Sequence, residues 1–161
     1  MIEVERKFLV ESEAFIAHSS SYEDMQQGFL STDPERTVRV RISGKSAKLT
    51  VKGPSSEDGT TRTEWETDIP IDEAQLLMNL CLPGIIAKRR YFVPVGDLLF
   101  EVDVFAGENE GLVVAEVELK TPNDSFPRPD WLGEEVTGDP KYYNSQLSKK
   151  PFKQWLDTSF L

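Results

Sequence analysis

The chain has a single cysteine, Cys81, and a single histidine, His18, among 161 residues. One thiol cannot form an internal disulfide, and one thiol with one imidazole cannot build a Cys/His zinc cluster or a histidine-rich metal site. Bases are also in deficit. The 18 Lys and Arg face 28 Asp and Glu, which gives a formal charge of −10 and a pI near 4.6. A general nucleic-acid binder or an anionic-membrane binder needs a basic surface, so no nucleic acid and no membrane is expected as a partner. No apolar run approaches the ~18 residues of a membrane span, and Met1-Ile2-Glu3-Val4-Glu5-Arg6-Lys7 lacks the apolar core of a signal peptide. These absences predict a reduced, cytoplasmic protein; the length predicts one domain over residues 1–161, and a homodimer is compatible with it.

What is present is alternation. Apolar and charged residues exchange with period two, predicting strands at 2–10, 26–31, 36–43, 46–53, 61–69, 86–93, 98–106 and 112–120. Ser43-Gly44, Asp58-Gly59 and Gly107–Gly111 supply residues suited to positive φ, so these connections read as antiparallel hairpins. Helices are few: one over about 12–20, carrying His18 on its surface; one over 73–80, capped by Asp72 and stopped by Pro83-Gly84; one opening at Asp139-Pro140 and running to Leu147; and a short last one around Phe152, Trp155 and Leu156. Cys81 reads as inert core, and Trp131, Phe152 and Trp155 as packing for the terminal helices. Pro122 to Pro129 is a connection within the domain.

Alternate strand residues share a face. One face collects Glu3, Glu5 and Lys7; Arg39 and Arg41; Lys48 and Lys52; Arg62, Glu64 and Glu66; Lys88 and Arg90; Glu101 and Asp103; Glu116 and Glu118. The other holds Ile2, Val4, Phe8, Val38, Val40, Ile42, Leu49, Val51, Trp65, Val102, Val104, Val117 and Leu119, and is expected to pack against the helices. An open sheet with one solvated face is the ordinary reading. Segregation of sign opposes it, because three strands offer only bases and two offer only acids, and like charges side by side destabilise a sheet unless an anion or a cation neutralises them. The charged face holds eight acids and eight bases and is neutral, so the whole −10 lies elsewhere. Eight strands suffice to close a barrel. The expected fold is therefore mainly β, an eight-stranded antiparallel barrel turned inside out, with a charged tunnel and a few helices packed outside. Arginine forks and lysines match phosphate oxygens, and clustered carboxylates are hard ligands for Mg²⁺ or Mn²⁺.

Glu3-Val4-Glu5-Arg6-Lys7 resembles the ExExK signature of the CYTH superfamily, the triphosphate tunnel metalloenzymes. Gln27-Gly28, Arg39/Arg41, Lys52-Gly53, Glu64/Glu66, Lys88-x-Arg90-Tyr91, Glu101-x-Asp103, Glu116-x-Glu118 and the run from Gly133 to Asn144 follow in family order, so the resemblance covers essentially the whole chain. It implies metal-dependent hydrolysis or cyclisation of a triphosphate, the small-molecule partner. It implies Glu3, Glu5, Glu116 and Glu118 as metal-side carboxylates, with Asp103, Glu64 and Glu66 as further candidates. Arg39, Arg41, Lys52, Lys88 and Arg90 are the implied phosphate clamp. Lys7 belongs to the signature, Lys7, Lys88, Arg90 and Lys141 are the implied catalytic residues, and Lys141 resembles a lysine that closes one tunnel mouth. Phe29 departs from the tyrosine usual in short bacterial members. Inorganic tripolyphosphate is the expected substrate. The alternatives are a class IV-type adenylyl cyclase, a thiamine triphosphatase, and a non-enzymatic polyphosphate- or nucleotide-binding module, which metal-dependent turnover would separate from an enzyme.

Overall fold

The computed structural model describes residues 1–155. The strands are β1 (Ile2–Val10), β2 (Ser21–Ser31), β3 (Thr37–Ser43), β4 (Ser46–Ser55), β5 (Thr61–Asp68), β6 (Ile86–Val95), β7 (Leu98–Phe105), β8 (Val113–Glu118) and β9 (Leu132–Glu135). They form an antiparallel sheet in the order β5-β4-β3-β2-β6-β7-β8-β1-β9, and a further pairing of β5 with β1 closes β1–β8 into a barrel. Closure rests on Ile2↔Thr63, Glu3↔Arg62 and Val4↔Thr61. The other half of that edge of β1 pairs with β9 through Phe8↔Glu135 and Val10↔Leu132, so the ninth strand, which alternation did not predict, completes the wall beyond the seam. Gly59 and Gly138 meet there so closely that a Cβ on Gly59 would stand 2.2 Å from the Gly138 Cα.

Except for the second, the helices are shorter than the sequence predicts. The 12–20 helix is reduced to α1 (Phe15–His18), because β2 begins at Ser21 and pairs with β6 from its first residue. α2 (Ile71–Leu80) has Pro70 at its cap position; Asp72 lies inside the first turn and does not cap it. Pro140 opens only a 3₁₀ turn, with Asp139 accepting from the Lys141 amide, before α3 (Asn144–Leu147). Phe152–Gln154 is another short 3₁₀ turn, and Leu156 lies outside the described residues. No helix of the described residues is long and apolar enough to cross a membrane.

Two apolar clusters pack on the outside of the barrel. Val4, Phe8, Phe100, Val102 and Val117 lie under Phe15 and Trp131, and α2 seats Ala74 on Val40 and Ala47. Trp131 therefore belongs to the barrel's outer core and not to a terminal helix. The outer face is not wholly covered: among the described residues nothing packs over the β1–β5 seam at this end, and Ile2 and Trp65 are 63% and 51% exposed. A third cluster lies at one end of the interior. Phe29 opposes Arg39, Phe105 opposes Lys88 and Val114 opposes Asp103, so these apolar side chains share the inner face with the charged ones. They pack against Val136, Tyr142 and Leu147 of the C-terminal segment, which seals that end as an apolar plug. The interior is thus a charged cup with an apolar floor.

Candidate active site

β1 directs Glu3, Glu5 and Lys7 into the barrel, and β3, β4, β6 and β8 bring Arg39, Lys52, Lys88, Arg90 and Glu116 to the same cavity. It encloses about 90 Å³, small because opposing side chains meet across it. Lys52 Nζ lies 2.9 Å from Glu3 and 3.5 Å from Glu64, and Lys7 Nζ lies 3.5 Å from Glu116. Behind Lys88 and Arg90 stands Asp103, itself fully buried: Oδ1 accepts from Arg90 Nε at 2.8 Å, while Oδ2 accepts from Arg90 at 3.0 Å and lies 2.8 Å from Lys88 Nζ. Both Asp103 oxygens are therefore engaged in holding cations.

The remaining candidates lie around this centre. Glu66 accepts from Thr50 at 2.7 Å and stands 3.6 Å from Arg39 and from Lys48. Glu118 opposes Glu5 in register but is exposed. Lys141 is exposed outside the cavity, its Nζ 5.0 Å from the Trp155 ring centroid. Arg41 stands opposite Lys48 and, unlike Arg39, is not among the residues lining the cavity. Among the described residues no three His, Cys, Asp or Glu side chains form a group that could hold a metal ion by themselves. Sequence reasoning placed Arg62 on the charged face without giving it a role; it lines the cavity, donating to the Gly53 carbonyl at 2.9 Å and to Thr37 at 3.2 Å. It missed Thr60 and gave no role to Thr137, Tyr143 and Asn144, which it quoted only within the run in family order; none of the four carries a charge signal.

Electrostatics divides the carboxylates. Burial raises the Glu5 carboxyl well above the usual range, and Glu116 and Glu3 push it further. Burial acts on Glu116 too, but Lys7, Arg90 and Lys88 outweigh it and hold this carboxyl well below that range, helped by a hydrogen bond from Glu5. Glu64 is raised by burial and by its hydrogen bond to Glu3, whereas Glu3, although buried, is lowered by Lys52. Burial brings Lys88 down to about 8 against the attraction of Asp103. Burial with Arg39 and Arg90 nearby brings Arg41 down to about 10. Arg41→Met should thus remove a cation that is disfavoured in the empty protein. We expect a melting temperature equal to or above the wild type and weaker triphosphate turnover; a large loss of stability with normal kinetics would make Arg41 a structural ion-pair partner.

The CYTH domain family model matches residues 1–150. The chain belongs to this family. It is 45% identical over 156 residues to an inorganic triphosphatase of Acetivibrio thermocellus, covering 95% of this chain and 97% of that protein. An inorganic triphosphatase of Nitrosomonas europaea is 36% identical over 152 residues, covering 92% and 97%. A crystal structure of an inorganic triphosphatase superposes with a TM-score of 0.63 at 32% identity, over 91% of this chain and 97% of that one. A putative adenylyl cyclase from Hippeastrum, 15% identical with a TM-score of 0.61 over 74% of this chain and 80% of that one, shares the fold.

Proposed function

We propose that this CYTH protein is a metal-dependent inorganic triphosphatase that hydrolyses tripolyphosphate to pyrophosphate and orthophosphate. The observation that carries this reading is one cavity in which Arg39, Lys52, Arg62, Lys88 and Arg90 face Glu3, Glu5 and Glu116. In the empty protein the carboxylates occupy several of these cations. A triphosphate entering the cup takes their place: Lys52 exchanges Glu3, and Lys7 exchanges Glu116, for phosphate oxygens. Lys88 and Arg90 stay anchored on Asp103, so their remaining donors are already set for charge on the transferring phosphoryl group.

The carboxylates so released suit a divalent cation. Glu5 and Glu116 are half-buried, hydrogen-bonded to each other and hard in donor character, which fits Mg²⁺ or Mn²⁺ with Glu3 nearby. Because these side chains do not form a complete ligand set, a Mg²⁺ held by them would leave positions open to other oxygen donors. Bound there, the cation neutralises phosphate charge and lowers the pKa of a bound water.

The lining also argues for a bare polyphosphate. Phe29 and Tyr143 are the aromatic residues of a mostly charged and polar lining, Phe29 buried and Tyr143 with Lys7 Nζ 5.4 Å from its ring centroid, while Tyr142 and Trp131 are buried in apolar clusters. Phosphate release across tripolyphosphate, pyrophosphate, ATP and thiamine triphosphate with Mg²⁺ or Mn²⁺ tests the reading. We expect kcat/KM for tripolyphosphate to exceed that for ATP by at least ~10-fold, a difference of about 1.4 kcal/mol. Excess chelator should stop turnover. Conversion of ATP to cyclic AMP as the preferred reaction would overturn the reading in favour of a cyclase.

A further inference from the structure

The C-terminal segment does more than seal the cup. From it the Asn144 side-chain carbonyl reaches the cavity and accepts two hydrogen bonds, from Lys88 Nζ at 3.0 Å and from Gln27 Nε2 at 2.5 Å. The chemistry fixes both amides. An ammonium can only donate, so Asn144 must present its oxygen to Lys88; Gln27 must then present its nitrogen. That orientation leaves Gln27 Oε1 buried without a hydrogen-bond partner among the described residues, on a side chain with no exposed surface. Stability alone disfavours a buried orphan of this kind, so the arrangement is retained at some cost to the fold. Lys88 has three donors: Asp103 engages one and Asn144 a second, which leaves one for the cavity. Two fixed acceptors define where the third points; Asp103 alone would leave the ammonium free to turn about a single contact.

We propose that Asn144, backed by Gln27, is a positioning residue for Lys88, and that through it the C-terminal segment is part of the active site. This rests on the triphosphatase reading. Lys7 ties the same segment down independently, its amide donating to Thr137 Oγ1 at 2.9 Å and its Nζ lying 3.4 Å from the Tyr142 carbonyl. The segment therefore does not need Asn144 to stay in place, and loss of the Asn144 oxygen should be felt at Lys88 rather than in the fold. Gln27 holds the Asn144 oxygen from the opposite side and keeps the amide from swinging away.

The test is a double-mutant cycle on the full chain with tripolyphosphate and Mg²⁺, with thermal melting of every variant. Asn144→Leu keeps the volume and removes the acceptor; kcat/KM should fall ~10-fold or more, since a displacement of ~1 Å at a reacting centre can cost ~10²-fold. Asn144→Asp keeps an oxygen facing two donors and should stay within ~3-fold of wild type. In a Lys88→Met background, Asn144→Leu should cost less than ~2-fold, because residues acting through one another are not additive. Gln27→Leu should lower kcat/KM while the melting temperature holds or rises, a pair of signs that a purely structural residue would not produce; it also decides the matter if Asn144→Leu fails to fold. A full additive loss in the Lys88→Met background would mean that Asn144 touches substrate directly and overturns the proposal. So would equal losses in Asn144→Leu and Asn144→Asp, or unchanged kinetics in Gln27→Leu. A wild-type protein that does not hydrolyse tripolyphosphate would instead overturn the triphosphatase reading, and the same cycle run on calorimetric binding of tripolyphosphate then decides the positioning role.

Discussion

Asp103→Ala is expected to lower the melting temperature by about 10 °C and to abolish turnover of tripolyphosphate. The side chain has no exposed surface to speak of and its two oxygens hold Arg90 and Lys88. Removing it leaves two buried cations without a counter-charge, and breaking a buried pair by deleting one partner typically costs about 3–5 kcal/mol. In a chain of this size each kcal/mol is worth roughly 2–4 °C. The pH dependence has a definite sign. Burial alone would raise this carboxyl, but Arg90 and Lys88 outweigh it and the folded-state value is lowered. Its stabilisation is therefore complete above the unfolded-state value of about 3.9 and is lost as pH falls through the folded value, so wild type and variant should converge in acid. Melting curves at pH 7 and pH 3 measure both. A variant that melts like the wild type but no longer binds Mg²⁺ by calorimetry would restore Asp103 as a metal ligand.

Glu5→Gln should do the opposite to stability. Turnover is expected to fall by ~10²-fold or more, the usual loss when one electrostatic contact to the transition state is removed, while the metal-free protein at pH 7.5 melts a few degrees higher. Burial, Glu116 and Glu3 raise the Glu5 carboxyl far above its unfolded value. A raised carboxyl contributes fully below the unfolded value and loses that contribution as pH rises through the folded one, so near neutrality it opposes folding. Glutamine removes the ionisation and keeps an N–H to donate to Glu116. Metal should reverse the order, because a cation that binds only the folded wild type stabilises it by mass action. Melting with and without Mg²⁺ distinguishes the cases. If the variant melts lower without metal, Glu5 is a structural ion-pair partner.

Asp103 and Glu5 also mark the boundary between what can be read in a chain and what needs its fold. Alternation assigns parity, so Glu3, Glu5, Lys7, Asp103 and Glu116 were all correctly set on one face, and the segregation of sign pointed to a closed barrel with its charges inside. Parity says nothing of depth or register. Glu5 and Asp103 look equivalent in sequence; one lies among carboxylates and the other between two cations only because the strands pair as they do.

The same limit hid the floor of the cup. Leu9, Phe29, Phe105 and Val114 continue the inner face beyond the charges, and their apolar character makes sense only once Val136, Tyr142 and Leu147 return from the other end of the chain. β9 is four residues long and pairs with β1 at Phe8 and Val10, too brief for a period to register. Asn144 and Gln27 are neutral and sit in no repeating pattern; the family resemblance picks out Gln27-Gly28 and the run ending at Asn144, but nothing local gives either side chain a role. The sequence by itself determined the fold class, the antiparallel closure and the inward face, because these follow from a local two-residue period repeated over many strands. Only the tertiary structure decided which charges neutralise one another, where the cavity ends and which neutral side chains hold its cations, because each of those depends on pairs of residues brought together across the barrel.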